Sequence, residues 1–217
     1  ANNRNPYSAD YMVATRAFLG RNSKNIHVCA IDDKGVSCWG GDNAHGQLDI
    51  PSELSNPTSV AVGAAHTCAI GDTGVSCWGL NSSGQTDVPD GLVEPSSLSL
   101  GPKHTCVIDK IGVKCWGEYI SGESNVPEGI SNPTVISANQ YTTCAIDDNG
   151  AICWGKGFQG IDEIQGNNDI PSGLVNPRDI SIGVVHGCAL DDLGVQCWGS
   201  NNFGQTDVPT NLVNPIK

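Results

Sequence analysis

The sequence predicts an all-β fold, a five-bladed β-propeller, from a phrase that recurs five times at nearly even distances without helical periodicity. The phrase reads C-A-I-D-D-K-G-V-S-C-W-G where it first occurs, beginning at Cys29. The Trp residues that close successive copies are 39, 38, 38 and 44 positions apart. Such spacings match the length of one propeller blade. We therefore expect each copy to form one blade.

Each copy predicts a β-hairpin stapled by a disulfide. Its two cysteines are nine positions apart and flank a four-residue turn that ends in Gly. If Ile70 faces Val75 across such a turn, Cys68 faces Cys77, at a distance that suits a disulfide. Zinc is the alternative, but zinc-binding cysteines usually lie two to four residues apart. We predict one bridge in each blade: Cys29–Cys38, Cys68–Cys77, Cys106–Cys115, Cys144–Cys153 and Cys188–Cys197.

The remaining strands of each blade flank its hairpin. An alternating apolar stretch such as Ser59–Gly63 precedes the hairpin, and a loop that ends in G-Q-T-D-V-P, as at Gly84 to Pro89, follows it. Met12 to Leu19 supplies a strand before the first hairpin, and Asn214 to Lys217 stand where another would begin. We expect the two terminal segments to share a blade and close the ring. Residues 1–217 then form one domain, with 1–10 as an N-terminal extension.

Charge and composition limit the partners. The net charge of −12 repels phosphate backbones and anionic lipid surfaces, so we expect neither nucleic acid nor membrane as a partner. Aromatic residues make up only 6% of the chain, so the core must consist of thin layers of small and β-branched side chains. Ten cysteines in strict pairs indicate an oxidising compartment, either extracellular or periplasmic.

The phrases H-T-C-A-I-D-D-x-G-V-x-C-W-G and G-Q-T-D-V-P resemble the regulator-of-chromosome-condensation repeat. The chain is most similar to its short bacterial version, in the propeller-type β-lactamase inhibitor proteins. The resemblance spans roughly Leu19 to Pro215 and implies a propeller that binds proteins. Two features depart from that family. Its members usually have seven blades, and they carry small apolar residues where this chain has paired cysteines.

Residues that could carry catalysis or bind metal follow the repeat. His27, His66, His104 and His186 each stand two positions before a first cysteine, with Thr142 at that place in the fourth copy. A position that repeats with the scaffold favours a hydrogen-bonded structural His over a metal ring. Acidic turns such as Asp32-Asp33 favour turn capping over calcium. The sequence contains no catalytic motif, and we expect no metal, cofactor or catalytic residue.

Binding is expected in the loops that differ between copies. These loops follow each W-G pair and should gather on one face of the propeller. They carry aromatic and aliphatic side chains among polar groups, as binding surfaces do. The fourth loop is longer, with a Phe at its tip. Our candidate binding residues are His45, Leu80, Asn81, Tyr119, Ile120, Phe158, Asp162, Glu163 and Phe203.

The five Trp residues have two interpretations. Packing between blades, with the indole N–H bonded to a neighbouring carbonyl, is favoured because the position never varies. An aromatic ring that stacks on sugars is the alternative. Both involve Trp39, Trp78, Trp116, Trp154 and Trp198.

We expect a secreted, non-enzymatic protein that binds a macromolecule on its loop face, and that inhibits an enzyme. A carbohydrate-binding lectin is the first alternative, although its ligands should then repeat five times. A polysaccharide-active enzyme is the second. The sequence leaves the target and the oligomeric state open.

Overall fold

The fold is all-β. The computed structural model describes residues 13–15, 26–156, 169–212 and 215. Within these ranges the chain forms five antiparallel sheets of three strands, each built from consecutive strands. The strands are β1 Val13–Thr15, β2 Val28–Asp32, β3 Gly35–Trp39, β4 Ser59–Val62, β5 His66–Gly71, β6 Gly74–Gly79, β7 Ser97–Leu100, β8 His104–Ile108, β9 Val113–Gly117, β10 Val135–Ala138, β11 Thr142–Asp147, β12 Gly150–Gly155, β13 Asp179–Ile182, β14 His186–Asp191 and β15 Gly194–Gly199.

The hairpin register is the one that the cysteine spacing predicts. In the second sheet, Ile70 pairs with Val75 and Cys68 with Cys77, and Gly74 ends the turn at a φ of 98°. A side chain is disfavoured at that φ, which explains the Gly. All five predicted disulfides are present, one in each sheet. Each sheet is therefore a blade with its own covalent staple.

Adjacent blades meet through their first strands. β1 contacts β4, β4 contacts β7, β7 contacts β10, and β10 contacts β13. In blades 1 to 4 the second strand also contacts the first strand of the next blade, as β2 does with β4. The predicted N-terminal strand is present as β1, which pairs with β2. Closure of the ring by both termini stays a prediction, as do the single-domain boundaries, because residues 1–12, 213, 214, 216 and 217 lie outside the described ranges.

The apolar core consists of thin layers between blades. One layer joins blade 1 to blade 2 through Cys29, Val60, Val62 and Trp78. Another joins blade 4 to blade 5 through Ile146, Ile180, Ile182 and Trp198, among others. Side chains of this size fill a narrow gap between two sheets, so a chain with few aromatic residues can still bury its sheets.

A buried backbone carbonyl links each pair of successive blades from blade 1 to blade 4. Between blades 1 and 2, the carbonyl of Gln47 accepts hydrogen bonds from the Thr67 hydroxyl (3.0 Å) and the Trp78 indole (2.9 Å). The Gln85 carbonyl does the same for Thr105 and Trp116, and the Glu123 carbonyl for Thr143 and Trp154. We call this arrangement the carbonyl joint. It confirms the inter-blade interpretation for these three Trp residues.

The repeated His residues complete the joint. Nε2 of His27 lies 2.8 Å from the Thr67 hydroxyl, and His66 and His104 contact Thr105 and Thr143 in the same way. Because the single Thr proton goes to the carbonyl, the His ring must donate from Nε2. Burial, followed by the neighbouring His104 and His27, lowers the pKa of His66 from 6.5 to about 3. The three His residues are therefore structural, and the ring of His66 is neutral.

Blade 4 shows what the His requires. A Cβ atom at Gly63 would lie 2.2 Å from Cε1 of His66, and one at Gly101 would meet His104 equally closely. In blade 4 the His position holds Thr142 and the Gly position holds Asn139. The Asn139 carboxamide accepts the backbone N–H groups of Tyr141 and Thr142. The space that a His ring fills elsewhere thus allows a larger residue here.

Aspartates stabilise the turns between the second and third strands, at the end of the blade opposite the carbonyl joint. Asp109, which is buried, accepts the backbone N–H groups of Ile111 and Gly112 in its own turn and of Val93 in the preceding segment. Burial alone would raise the pKa of this carboxyl, but these N–H donors and Lys114 hold it below its usual value. Asp147 and Asp191 bind their turns similarly. The acidic turns therefore cap backbone, as the sequence favours.

We expect Thr105→Val to weaken the joint between blades 2 and 3. Valine keeps the shape of threonine but removes the partner of His66 and a donor to the Gln85 carbonyl. An unsatisfied buried group costs about 1–3 kcal/mol, so the free energy of unfolding should fall by roughly 2–3 kcal/mol in urea titrations. Thr73→Val, at an exposed turn, is the control and should stay within about 0.5 kcal/mol of the wild type. Equal stability of the two variants would contradict the joint.

We expect stability to fall as the pH drops from 7 to 4.5, in part through His66. Its folded pKa lies below its unfolded pKa, so the unfolded state takes up the proton first. The stabilisation is therefore complete above pH 6.5 and is lost as the pH falls towards 3. At pH 4.5, protonation of this residue in the unfolded state should have lowered the free energy of unfolding by about 2–3 kcal/mol. Urea titrations of His66→Gln should show a shallower pH dependence; an unchanged slope would contradict a buried neutral ring.

Candidate binding site on the loop face

Loops gather at one end of the blades, which we call the loop face. It comprises the described segments that follow the third strands: residues 40–49, 80–87, 118–125 and 200–207. Those of blades 2, 3 and 5 are tied to the turn between the first and second strands of their own blade. Leu80 N–H donates to the Ala65 carbonyl, Glu118 N–H to Lys103, and Ser200 N–H to Val185, each at 2.8 Å. The expected gathering of the variable loops on one face is therefore present in these blades.

An Asn closes three of the four loops. The side chain of Asn81 donates to the Asp87 carboxylate (2.6 Å) and accepts the Thr86 N–H (3.0 Å). Asn43 and Asn201 make the same two bonds in their own loops. We call this arrangement the Asn clasp. The side chain of Asn81, a candidate binding residue from the sequence, is thus engaged in hydrogen bonds within its own loop.

Blade 3 lacks the clasp. Tyr119 stands where the other loops have Asn, and Asn125 stands where they have Asp. Tyr119 and its neighbour Ile120 are 72% and 73% exposed, although both are largely apolar. The Ser124 hydroxyl donates to the Glu118 carbonyl instead, at 2.9 Å. The blade 3 loop therefore exchanges two stabilising hydrogen bonds for a pair of exposed hydrophobic side chains.

The other candidate residues comprise exposed ones, a half-buried one and three that the structure does not describe. Phe203 is 94% exposed, and His45 is also exposed. Leu80 is half-buried. Phe158, Asp162 and Glu163 lie outside the described residues, so their places on the loop face stay predictions. The structure thus leaves Tyr119, Ile120, Phe203 and His45 accessible among the predicted residues that it describes.

The Trp residues are mostly covered. Trp78, Trp154 and Trp198 are each 7% exposed, and Trp116 is half-buried. Trp39, in the first blade, is 50% exposed. The five indoles therefore do not form one exposed circle that could stack on sugars, because the carbonyl joint and the core layers cover most of them between blades.

Charged side chains surround the exposed hydrophobic residues. Asp42, Asp49, Asp87 and Asp207 are exposed on the neighbouring loops. Near Tyr119, Glu118 forms an ion pair with Lys103 at 3.1 Å. Lys156 is exposed just after the third strand of blade 4. The described loops of blades 1, 2 and 5 therefore carry exposed acidic groups, and blade 3 has a basic partner in Lys103.

Glu123 is a further candidate residue that the repeat pattern of the sequence did not point to. It occupies the Gln position of G-Q-T-D-V-P and is 1% exposed. Burial, the largest influence, raises the pKa of this carboxyl; Glu118 raises it further, whereas backbone N–H groups and Lys156 lower it. Alignment of Gly122-Glu123 with Gly84-Gln85 would have shown the exchange. Its burial could not be read from the sequence.

The described ranges contain neither a metal-ligand cluster nor a membrane-spanning helix. Nowhere in these ranges do three His, Cys, Asp or Glu side chains meet as potential metal ligands. No helix in the same part of the chain has the length and hydropathy needed to cross a membrane.

Solved structures share the fold. The CRINKLY WD40 ectodomain of the Arabidopsis thaliana receptor kinase ACR4 is 23% identical over 80% of this chain and 63% of its own, with a TM-score of 0.62. The ectodomain of the Physcomitrella patens receptor kinase CR4 is 24% identical over 80% and 48%, with a TM-score of 0.59. Prp20p of Saccharomyces cerevisiae is 16% identical over 94% and 60%, with a TM-score of 0.65. The chain thus spans about half to two thirds of these structures.

Sequence comparison gives a second result. No curated protein sequence matches the chain significantly. The profile of the regulator of chromosome condensation (RCC1) repeat matches residues 58–85 and 178–205, and each match ends inside a loop segment. Both matches include the first strand, the stapled hairpin and the G-Q pair. The described chain is therefore a β-propeller of five three-stranded blades, and two of its repeats match the regulator-of-chromosome-condensation repeat.

Proposed function

We propose that this chain is an extracellular binding protein that recognises a protein partner through its loop face. The observation that carries the proposal is the blade 3 loop, where Tyr119 and Ile120 are exposed and the Asn clasp is absent. Tyr119 replaces the loop-closing Asn, and side chains as exposed as Tyr119 and Ile120 contribute little to the stability of a blade. Aromatic and aliphatic groups inside a polar rim are the usual anchors of protein interfaces.

The charges define the partner further. Four exposed aspartates lie on the other described loops of this face, and the whole chain carries a net charge of −12. A partner with an apolar pocket flanked by basic groups would complement this face and associate faster at low salt. The structural neighbour Prp20p is described with binding properties to Gsp1p and histones. That likeness supports protein binding by the fold in general and names no target for this chain.

The compartment follows from the cysteines. Five disulfides hold five hairpins, and such bridges persist in oxidising surroundings. Two of the structural neighbours are ectodomains of receptor kinases. Both points support an extracellular place. Inhibition of an enzyme, as in the β-lactamase inhibitor proteins, is one form that binding by this face could take.

A lectin is less well supported than a protein binder. Repeated sugar ligands would be expected at the Trp and Asn positions, which do repeat. In the described loops, however, Asn43, Asn81 and Asn201 are engaged in the Asn clasp, and four Trp residues are at least half-buried. The repeated polar and aromatic groups therefore serve the scaffold.

We expect Tyr119→Ala and Ile120→Ser each to weaken binding at least tenfold, because each removes an anchor worth about 1.4 kcal/mol or more. Proteins captured by the immobilised chain would be identified by mass spectrometry, and their affinities measured for each variant. Ile111→Ser is the matched control. Ile111 is 71% exposed, like Ile120, but lies in a turn at the opposite end of blade 3.

Two results would contradict the proposal. One is a captured protein that binds all three variants as tightly as it binds the wild type. The other is saturable binding to a single sugar on a glycan array that the two loop-face substitutions leave unchanged.

A further inference from the structure

We propose that Glu123 is the residue that positions the blade 3 loop for binding, and that it makes the order of this loop depend on pH. The inference rests on the proposed function and specifies how the same site is controlled. It concerns residues 118–125, with Tyr119 and Ile120 at the exposed tip.

Glu123 makes a bond that every described loop of this kind contains. In the other loops a Gln Oε1 accepts the backbone N–H two residues earlier: Gln47 from His45, Gln85 from Ser83, and Gln205 from Phe203. In blade 3, Oε2 of Glu123 accepts the Ser121 N–H at 2.8 Å. The geometry is therefore retained, while a neutral amide is replaced by a carboxyl group that can carry charge.

The bond matters more in blade 3 than elsewhere. The other three loops are also closed by the Asn clasp, which Tyr119 cannot form. A hydrogen bond to a carboxylate is roughly twice as strong as one between neutral groups. The ionised Glu123 thus supplies part of the stabilisation that the Asn clasp gives to the other three loops. When the carboxylate gains a proton, its bond to Ser121 weakens to that of a neutral pair. The loop then relies on its backbone turn bonds, such as Gly122 N–H to the Tyr119 carbonyl, and on the Ser124 bond to Glu118.

The surroundings of Glu123 favour its protonated form. Glu118 faces Glu123 from the same loop, and Lys156 faces it from the end of β12. Lys103, before β8, is paired with Glu118. His104 reaches the Glu123 backbone carbonyl through the Thr143 hydroxyl. Burial is the largest influence and raises the pKa of Glu123 above the ordinary 4.5.

The expected behaviour follows directly. At neutral pH the carboxylate holds Ser121, and the loop presents Tyr119 and Ile120 in one conformation. Acidification protonates Glu123 and loosens the loop, so that binding would require it to be ordered again. A loop that must be ordered on binding reduces affinity.

The protein alone provides the test. The amide signal of Ser121 would be followed by NMR from pH 4 to 8, together with the heteronuclear NOE of Ile120, which reports fast loop motion. In the wild type we expect the Ser121 shift to titrate with a midpoint above 4.5, and the Ile120 NOE to fall with it. In Glu123→Gln both should be flat, with the NOE at its low, acidic value at every pH.

Gln85→Glu is the matched control. It places the same carboxyl in blade 2, where Asn81 keeps its clasp. The Ser83 amide should then titrate while the loop stays ordered. A Ser121 shift that is flat in the wild type, or an Ile120 NOE that does not change through the titration, would overturn the proposal. Because no partner is used, such a failure is distinct from failure of the loop-face substitutions to weaken binding.

Discussion

One buried carbonyl at each of the first three blade junctions determines how this propeller holds together. The carbonyls of Gln47, Gln85 and Glu123 each receive a Thr hydroxyl and a Trp indole from the next blade. The disulfides cannot do this, since each lies within a single hairpin. The apolar layers between blades are thin and non-directional. The joint adds direction, because a carbonyl with two fixed donors allows only one relative placement of two sheets.

The joint also explains why the repeated residues are poor candidates for recognition. Trp, His and Thr form each of the first three joints, and Asn closes two of the three loops that carry the carbonyl. What stays free are the positions that vary, such as Tyr119, Ile120 and Phe203. Function can change at those positions without loss of the scaffold, as is common for loops on rigid folds.

Blade 3 departs from the pattern at both of its ends. On the loop face it has Tyr119 for Asn and Glu123 for Gln. At the opposite end, the ion pair between Glu94 and Lys110 replaces the Asn–Asp contact seen at Asn132 and Asp148. Glu94 adopts a φ of 46°, a conformation that Asn tolerates better. The exchange at Tyr119 removes two loop-closing bonds, and the one at Glu94 puts a non-Asn residue at a positive φ. Such local costs are typical of a site where recognition and stability compete.

The sequence by itself determined the blades. Hairpin register, the five disulfides and the Gly-ended turns depend on residues within about ten positions of each other, and spacing suffices to pair them. The tertiary structure alone decided which side chains are available. Asn81 resembled a ligand until its bonds to Asp87 and Thr86 were seen, and Trp78 is covered by a carbonyl 31 positions away. Glu123 carries no local mark of burial. Such contacts join separate loops and blades, so they depend on how sheets pack and not on the spacing of residues along one strand.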